Sequence, residues 1–290
     1  MITRRGFLKG VAGTVLAGLT LGGYAFGAEP ALRLREQLWR LSPTGWTGGS
    51  LRIVALADLH LGEPYIGLAR LKRIVGRVNA LAPDLVLYLG DYTAGHRFIS
   101  RPVGVVDAAP IMAQARGRLG TYAILGNHDW WDDREAQRRG GGPNLYAEAF
   151  RNAGIAVLSN SAVRVDGFWL AGLEDQLALR TLRGFRGLDD LPGTLAKITD
   201  DAPVVLMAHE PDIFPKIPDR VCLTLSGHTH GGQVRLLGWS PMVPSRYGNR
   251  YAWGHVREGA RDLVVSGGIG CSIMPVRFGM PPEITIIDLS

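Results

Sequence analysis

The residues best suited to chemistry lie in five short motifs that are rich in Asp, Asn and His. Each motif follows an apolar run that is typical of a buried strand. The motifs are Asp58-Leu59-His60, Gly90-Asp91, Gly126-Asn127-His128-Asp129, His209 and Gly227-His228-Thr229-His230-Gly231-Gly232. Because ligands of open α/β sheets bind beyond the carboxyl ends of the strands, we expect all five strand ends to deliver their side chains to one edge.

The joint pattern carries this argument, since each member alone has an ordinary explanation. An isolated Asp after a strand is usually a turn former or a helix N-cap. An isolated His is more often a surface or core residue than a metal ligand. Five of the seven histidines, however, fall within these motifs. The set therefore predicts a polynuclear metal site.

The donor types indicate which metals would bind. Mixed imidazole and carboxylate ligands suit Mn, Fe, Zn, Co or Ni better than Mg or Ca. Two divalent metal ions are expected, with Asp91 shared, because the motifs offer these donors: Asp58, His60, Asp91, Asn127, His209, His228 and His230. Two carboxylates and a bridging hydroxide do not neutralise two such ions, so the centre stays positive and suits an anionic phosphate ester.

The alternation of predicted strands and helices places the motifs in one α/β domain. Strands are predicted at 51–57, 85–89, 122–125, 204–207, 221–225, 263–265 and 283–289, and helices at 68–81, 105–114, 145–152 and 188–198. This order predicts a layered α/β fold with mixed sheets. The absence of an internal repeat or a low-complexity linker favours a single catalytic domain over residues 28–290.

The segment after the leader has two interpretations. Alternation over Leu32-Arg33-Leu34-Arg35 favours an edge strand. A basic membrane-surface helix over residues 32–41 ranks second, because Ser42-Pro43-Thr44-Gly45 soon breaks the pattern. The strand is therefore the prediction, and the helix is the alternative.

Composition excludes several classes of protein. An apolar content of 46% and a charged content of 20% suit an ordinary globular protein. Half of the formal charge of +6 comes from Arg4, Arg5 and Lys9, and no basic stripe appears elsewhere, so no nucleic-acid partner is expected. Neither Cys222 nor Cys271 has the spacing of a zinc knuckle or redox pair, and no disulfide between them is expected.

The first 27 residues resemble an export signal. A basic start, Thr3-Arg4-Arg5-Gly6-Phe7-Leu8-Lys9, precedes a Gly-rich apolar stretch that is short for a stable membrane span. Small residues near Ala25-Phe26-Gly27 suggest a cleavage site. The paired Arg resembles the twin-arginine signal, so export machinery of that type is the expected partner. The expected location is the periplasm, the cell wall or the outer face of the cytoplasmic membrane, and an uncleaved N-terminal anchor is the alternative.

The five motifs together resemble the calcineurin-like metallophosphoesterase family, whose pattern is DxH, GD, GNHD/E, H and GHxH. The resemblance covers nearly the whole chain after the leader. It implies a four-layer α/β/β/α sandwich of two mixed sheets. It also implies that one metal is held by Asp58, His60, Asp91 and His230, and the other by Asp91, Asn127, His209 and His228.

Two further segments resemble exported or membrane-associated bacterial phosphodiesterases of this family. They are Gly231-Gly232-Gln233-Val234 and Arg277-Phe278-Gly279-Met280-Pro281-Pro282-Glu283-Ile284. Some such relatives cleave the pyrophosphate of UDP-2,3-diacylglucosamine, and others are cell-envelope phosphoesterases. The implied substrate is a phosphoester, lipid- or nucleotide-linked, and a membrane surface is a possible partner.

The hypothesis for the chemistry is hydrolysis of a phosphoester or pyrophosphate bond by metal-activated hydroxide. The catalytic residues are expected to be His128, which would stabilise charge and protonate the leaving oxygen, and Asp129, which would orient His128. In the alternative, His128 is only a turn residue, and the fold is a metal-binding interaction scaffold without catalysis. No Gly-x-Ser-x-Gly elbow or phosphate-binding Gly-x-x-x-x-Gly-Lys loop occurs, which disfavours serine hydrolases and P-loop enzymes.

Outside the motifs the pattern leaves the roles of six residues open. Trp130 and Trp131 form either an apolar rim for the substrate or packing under the loop that follows. Four arginines are candidates for a second phosphate, although an ordinary surface position is the first expectation for each: Arg97, Arg246, Arg250 and Arg277.

Overall fold

The computed structural model describes residues 3–290, so residues 1 and 2 of the predicted leader lie outside it. Its α-helices are Arg4–Gly23 (α1), Glu29–Leu32 (α2), Leu68–Ala80 (α3), Val105–Met112 (α4), Asn127–Trp131 (α5), Arg134–Arg139 (α6), Leu145–Asn152 (α7) and Leu191–Leu195 (α8). A π-helical turn, Tyr24–Ala28, joins α1 to α2. Short 3-10 turns occupy Pro211–Lys216, His230–Gly232 and Gly248–Tyr251.

Twelve of the sixteen strands among residues 3–290 form two large mixed sheets, and the other four form two small two-stranded sheets. In chain order they are Arg35–Leu41 (β1), Leu51–Leu56 (β2), Gly62–Glu63 (β3), Leu85–Tyr88 (β4), Arg101–Pro102 (β5), Thr121–Ala123 (β6), Ala156–Val157 (β7), Ser161–Val165 (β8), Phe168–Gly172 (β9), Leu179–Thr181 (β10), Gly184–Arg186 (β11), Val204–Met207 (β12), Val221–Ser226 (β13), Gly254–Glu258 (β14), Arg261–Val265 (β15) and Glu283–Leu289 (β16). The first sheet has the order β1-β16-β2-β4-β6-β7, and the second has the order β14-β15-β13-β12-β9-β8.

The core is layered because successive strand residues point to opposite faces of a sheet. In β2, Ile53 and Ala55 pack in the cluster between the two sheets, whereas Val54 and Leu56 pack in the cluster against α3. On the outer face of the second sheet, Phe214 from a 3-10 turn packs in a third cluster. The result is the expected four-layer α/β/β/α sandwich.

Both sheets direct parallel strands toward one edge. Strands β2, β4 and β6 are parallel neighbours in the first sheet, and β12 and β13 are parallel neighbours in the second. The carboxyl ends of all five strands carry the motifs predicted to bind metal. This shared edge explains how donors that lie far apart in sequence come together.

Two predicted elements differ from the observed ones by more than two residues. Residues Arg35–Leu41 form an edge strand parallel to β16, so the strand lies slightly later than predicted, and the alternative surface helix over 32–41 is wrong. The helix predicted at 188–198 is only Leu191–Leu195. Asp190 caps it, and Pro192 and Gly193 leave few good helix formers to extend it.

The leader forms one long exposed helix rather than a short one. None of the residues of α1 is buried. By length and composition, the helical stretch Arg4–Leu32 is apolar enough to cross a membrane, a test that signal sequences also pass. Cys222 and Cys271 are both buried free thiols in the structure.

Candidate metal centre

The five motifs converge in the structure. Backbone hydrogen bonds extend the pairing of β2 and β4 into the loops, because Asp58 donates to Gly90 O (3.0 Å) and His60 donates to Asp91 O (3.1 Å). Asp58 also joins the two sheets, since its carboxylate accepts the backbone N–H of His228 (3.0 Å). The seven predicted metal-binding residues lie together, and all except the half-buried His228 are buried.

A first group of donors consists of Asp58, His60 and His230. The Nε2 atoms of the two histidines are 3.2 Å apart, and their rings are stacked. Nε2 of His230 lies 3.5 Å from Oδ1 of Asp58. One atom from each residue falls within 4.8 Å of the others, which is a spacing that suits a shared metal ion.

A second group consists of Asp91, His209 and His228, whose donor atoms also lie within 4.8 Å of one another. Nδ1 of His228 is 2.9 Å from Oδ1 of Asn127, which brings the Asn side chain into this group. Nδ1 of His209 is 2.6 Å from the carbonyl of Leu89. That contact orients the ring and turns Nε2 toward the centre.

Asp91 connects the two groups through one oxygen atom. Its Oδ2 lies 3.3 Å from Nε2 of His209 and 3.6 Å from Nε2 of His60. Its other oxygen, Oδ1, accepts the backbone N–H of His128 (2.9 Å). This is the position that a carboxylate shared by two ions would need.

Backbone strain concentrates at these donors. Five of the seven have φ in the left-handed region, which non-glycine residues rarely adopt: Asp58 (52°), His60 (38°), Asp91 (59°), His228 (68°) and His230 (52°). Strained residues of this kind persist where the surrounding structure holds them, and they cluster at functional sites. The sequence does not reveal this feature, since it depends on the loops being held by both sheets.

Two glycines make the close approach of the loops possible. Gly90 has φ of 99°, and a Cβ there would lie 2.6 Å from Nδ1 of His209. Gly126 has ordinary backbone angles, so the reason for glycine is space rather than conformation. A Cβ at Gly126 would lie 2.4 Å from Oδ1 of Asp91.

The electrostatics of the site fit a cation. Burial raises the pKa of Asp58 to about 7, with the charge of His209 opposing that shift, and burial lowers the pKa of His60 to about 3. Burial would also raise the pKa of Asp91, but the fields of His209 and His128 hold it well below its usual range. A bound divalent cation favours ionised carboxylates and neutral imidazoles.

An unpartnered atom provides the test of fit. Nε2 of His209 is buried and has no hydrogen-bond partner of acceptable geometry among residues 3–290. The nearest carboxylate oxygen, Oδ2 of Asp91, lies 3.3 Å away. Buried polar nitrogen atoms normally have a partner. A metal ion supplies one here, and the set of imidazole, carboxylate and amide donors suits a first-row transition metal.

The expected role of Asp129 needs correction. Its carboxylate accepts three backbone N–H groups, from Asp91 and Gly126 through Oδ2 and from Tyr92 through Oδ1, at 2.8–2.9 Å. Burial and the charge of Asp91 raise its pKa well above the usual value. Asp129 is thus committed to the turn that carries Asp91. No hydrogen bond links it to the His128 ring among the described residues, so it acts through the backbone.

A cleft of about 460 Å³ opens beside the donors. His60 and His128 line its floor, and His128 is half-buried with its ring 5.1 Å from that of Trp131. The walls combine charged and apolar side chains: His96, Arg97, Phe98, Asp132, Arg180, Ile273 and Met274. The sequence left the roles of two tryptophans open. Trp131 lies beside His128, whereas Trp130 is buried and donates to Glu174 (3.0 Å).

The four candidate arginines have different environments. Arg97 lines the cleft. Arg246 and Arg250 pair with Asp212 and Glu258 and do not line it. Arg277 corrects the expectation of a surface position, because it is fully buried.

Arg277 is the main residue near the site whose role the sequence did not predict, since it was considered only as a candidate for a second phosphate. Its guanidinium donates to the carbonyls of Gly267 and Met280 (3.0 and 2.9 Å) and to Gly270, and Nη2 lies 3.3 Å from Nδ1 of His230. The only sequence signal is a charged residue among Gly, Pro and Met, which does not distinguish an interior position. Arg180, whose guanidinium lies 4.4 Å from the centre of the Trp131 ring, was also missed.

The fold and this cluster define a metal-dependent phosphoester hydrolase, and comparison with known proteins agrees. The family model described as calcineurin-like phosphoesterase matches residues 51–232. The chain therefore belongs to the calcineurin-like phosphoesterase family, whose members use divalent metals.

Three relatives illustrate the range of similar proteins. The Bacillus subtilis protein named uncharacterized metallophosphoesterase YkuE is 33% identical, covering 99% of this chain and 98% of its own. Escherichia coli phosphodiesterase YaeI is 28% identical over the full length of both. A Danio rerio transmembrane protein with metallophosphoesterase domain is 35% identical over 82% of this chain but only 53% of its own length.

Proposed function

We propose that the protein is a phosphodiesterase with two divalent metal ions, which hydrolyses a phosphoester or pyrophosphate bond in a cell-envelope, lipid-linked or nucleotide-linked substrate. The observation that carries the proposal is the meeting of two donor groups at Oδ2 of Asp91, beside an open cleft. The phosphodiesterase name of the Escherichia coli relative supports the same class.

The proposed ligand sets follow from the two donor groups. Asp58, His60, Asp91 and His230 would hold one ion. Asp91, Asn127, His209 and His228 would hold the other. Two ions bound there would polarise phosphoryl oxygens and generate a nucleophile from water at neutral pH.

His128 is the proposed catalytic residue. It lies on the cleft floor, and its backbone is fixed to Asp91 by the hydrogen bond to Oδ1. From that position a ring nitrogen can donate to a phosphoryl oxygen and then give its proton to the leaving oxygen. Arg97 and Arg180 in the walls favour an anionic substrate, and Phe98 and Met274 offer apolar contact to an attached group.

The test is hydrolysis of bis-p-nitrophenyl phosphate by the full chain after reconstitution with Mn²⁺, with metal content measured on the same sample. Turnover that depends on the added metal supports the enzyme. A chain that holds about two ions and shows no turnover on diesters or monoesters would instead be a metal-binding interaction scaffold. A panel of lipid-linked, nucleotide-linked and simple phosphoesters then identifies the substrate class.

We also propose export by a twin-arginine route to the periplasm, the cell wall or the outer face of the cytoplasmic membrane. The support is the pair Arg4 and Arg5 in the first turn of the apolar helix α1. Changing both residues to Lys, which preserves the charge, should leave the chain in the cytoplasm. Normal export of that variant would refute the route.

A further inference from the structure

The segment that follows α1 is built into the catalytic domain. Glu29 is only 1% exposed, and its carboxylate accepts the backbone N–H groups of Met280 (2.9 Å) and Gly279 (3.2 Å). The carbonyl of Ala25 accepts the backbone N–H of Arg277 (2.9 Å). A buried carboxylate that accepts two backbone amides is a specific attachment.

Further contacts fix the same segment from the side. The Tyr24 ring meets the ring of Phe278 edge-on, with centroids 6.0 Å apart. The Arg70 guanidinium donates to the carbonyls of Pro30 and Arg33, both at 2.9 Å. Cleavage near residues 25–27 would therefore cut within a docked segment rather than within an exposed linker.

The docked segment also connects to the metal centre. Arg277 donates its backbone N–H to the carbonyl of Ala25, while its side chain lies 3.3 Å from Nδ1 of His230. One residue thus touches both the base of the leader and a proposed metal ligand. Removal of the leader would take away part of the structure that supports the centre.

Helix α1 extends from this base without any buried residue. Together with the π-helical turn, it gives an uncharged helical stretch over residues 10–28 that spans about 28 Å, close to the hydrocarbon core of a bilayer. Arg4, Arg5 and Lys9 lie at its far end, and its first turn holds no acidic residue. The excess of positive charge places that end in the cytoplasm and the catalytic domain outside.

Exposed apolar side chains lie in two segments that adjoin the Phe278 segment, which contacts the base of the helix. We call them the apolar rim: Leu236, Leu237, Trp239, Ile273 and Met274. Leu237 is fully exposed, and Ile273 is 77% exposed. The backbone N–H of Arg235, next to Leu236, donates to the carbonyl of Phe278, whose ring contacts Tyr24. The Gln233 side chain donates to the carbonyl of Met274, and the Gln233 carbonyl accepts the backbone N–H of Phe278. Both parts of the rim, residues 236–239 and residues 273–274, are thus linked to Phe278.

We propose that the leader stays on the protein as a membrane anchor, and that the apolar rim rests on the lipid bilayer beside it. The bilayer is the occupant that the structure favours, because the base of the exposed apolar helix α1 and the rim are both attached to the segment around Phe278. Since Ile273 and Met274 also line the cleft, the mouth of the metal centre then faces the membrane surface. The proposal does not depend on turnover.

The first test measures the leader itself. The full chain with a C-terminal tag is expressed in a bacterium, and its mass and membrane association are determined. We expect an intact N-terminus and a protein that only detergent releases. A chain that begins near residue 28, or an intact chain that alkaline carbonate extracts, overturns the proposal.

The second test measures contact of the rim with lipid. Leu237→Cys is labelled with an environment-sensitive fluorophore and reconstituted as the full chain into phospholipid vesicles. The matched control is Asp201→Cys, an exposed position just before the start of β12, at the opposite end of that strand from the metal-binding motif. The buried native thiols give the background, measured on the unsubstituted chain.

We expect blue-shifted emission from position 237, and quenching there by lipids that carry a nitroxide on the acyl chain. Position 201 should show neither effect. Equal emission and equal quenching at the two positions would show that the rim does not meet the bilayer. Fluorescence and mass report on the anchor even if the protein proves catalytically inactive.

Discussion

The space around Gly126 gives the sharpest prediction about the metal centre. The substitution Gly126→Ala adds one Cβ, which would lie 2.4 Å from Oδ1 of Asp91. Ordinary contacts begin at 3.4 Å, so the Asp91 carboxylate or the Gly126 backbone must move by about 1 Å. The same Cβ would lie 2.8 Å from the backbone N of Asp91, which the Asp129 carboxylate already holds.

Because the crowded atoms belong to fixed groups, we expect the displacement to fall on the proposed shared ligand. A misplacement of that size costs on the order of 10²-fold in rate. Overpacking should also lower the free energy of unfolding by about 1–3 kcal/mol. Metal content after reconstitution should fall below that of the wild-type chain, since both donor groups use Asp91.

The assay is Mn²⁺-dependent hydrolysis of bis-p-nitrophenyl phosphate, together with metal analysis and urea unfolding on the same preparation. The control is Gly76→Ala in α3, where a Cβ meets nothing within 4 Å. It should leave the rate unchanged and raise stability by about 0.5–1 kcal/mol. A Gly126→Ala protein with the wild-type rate and metal content would refute the claim that Asp91 must stay in place.

Three more predictions test the roles proposed above. His128→Asn should keep both ions but lower turnover by about 10²–10⁴-fold. The control is the remote change His255→Asn, which should not alter the rate. A wild-type rate in His128→Asn would show that His128 takes no part in the mechanism. Asp91→Asn should lose metal at both positions, measured by elemental analysis, and full occupancy would contradict a shared ligand. Chelation should lower the urea midpoint, since an ion at 100 times its Kd adds about 2.7 kcal/mol; an unchanged midpoint would mean that the ions do not stabilise the fold.

The strands could be predicted because their apolar runs end at sharp polar motifs. The elements Val204–Met207, Glu283–Leu289 and Leu145–Asn152 have the predicted bounds, and the strands before the other motifs agree to within two residues. Burial on both faces produces continuous apolar runs, which the sequence shows directly. The convergence of the motifs then follows from strand direction.

The conformation of the site could not be predicted in the same way. The left-handed φ of Asp58 and Asp91 reflects loops held between two sheets, which no local pattern reports. The role of Asp129 also depends on the fold, because its amide partners Asp91 and Tyr92 follow a different strand. The Asp129 carboxylate, which is next to His128 in sequence, was expected to orient the His128 ring. In the structure it instead accepts hydrogen bonds from three backbone N–H groups.

The buried position of Arg277 is the clearest example of a feature that the sequence could not predict. Arginine is almost never fully buried unless its charge is compensated, so an exposed position was the reasonable expectation. Here carbonyls of Gly267, Gly270 and Met280 accept its N–H groups. These acceptors lie in segments without regular secondary structure, where backbone carbonyls remain free.

The position of Arg277 also links two features that the sequence presents as unrelated. The leader was expected to end in a cleavage site, and the metal centre was expected to lie within an independent domain. In the structure the backbone of Arg277 holds Ala25, and its side chain meets His230. If the leader served only for export, a mature chain would have to rebuild this contact after cleavage. A retained leader needs no such rearrangement, and it keeps the proposed ligand His230 supported from the same side as the proposed membrane contact.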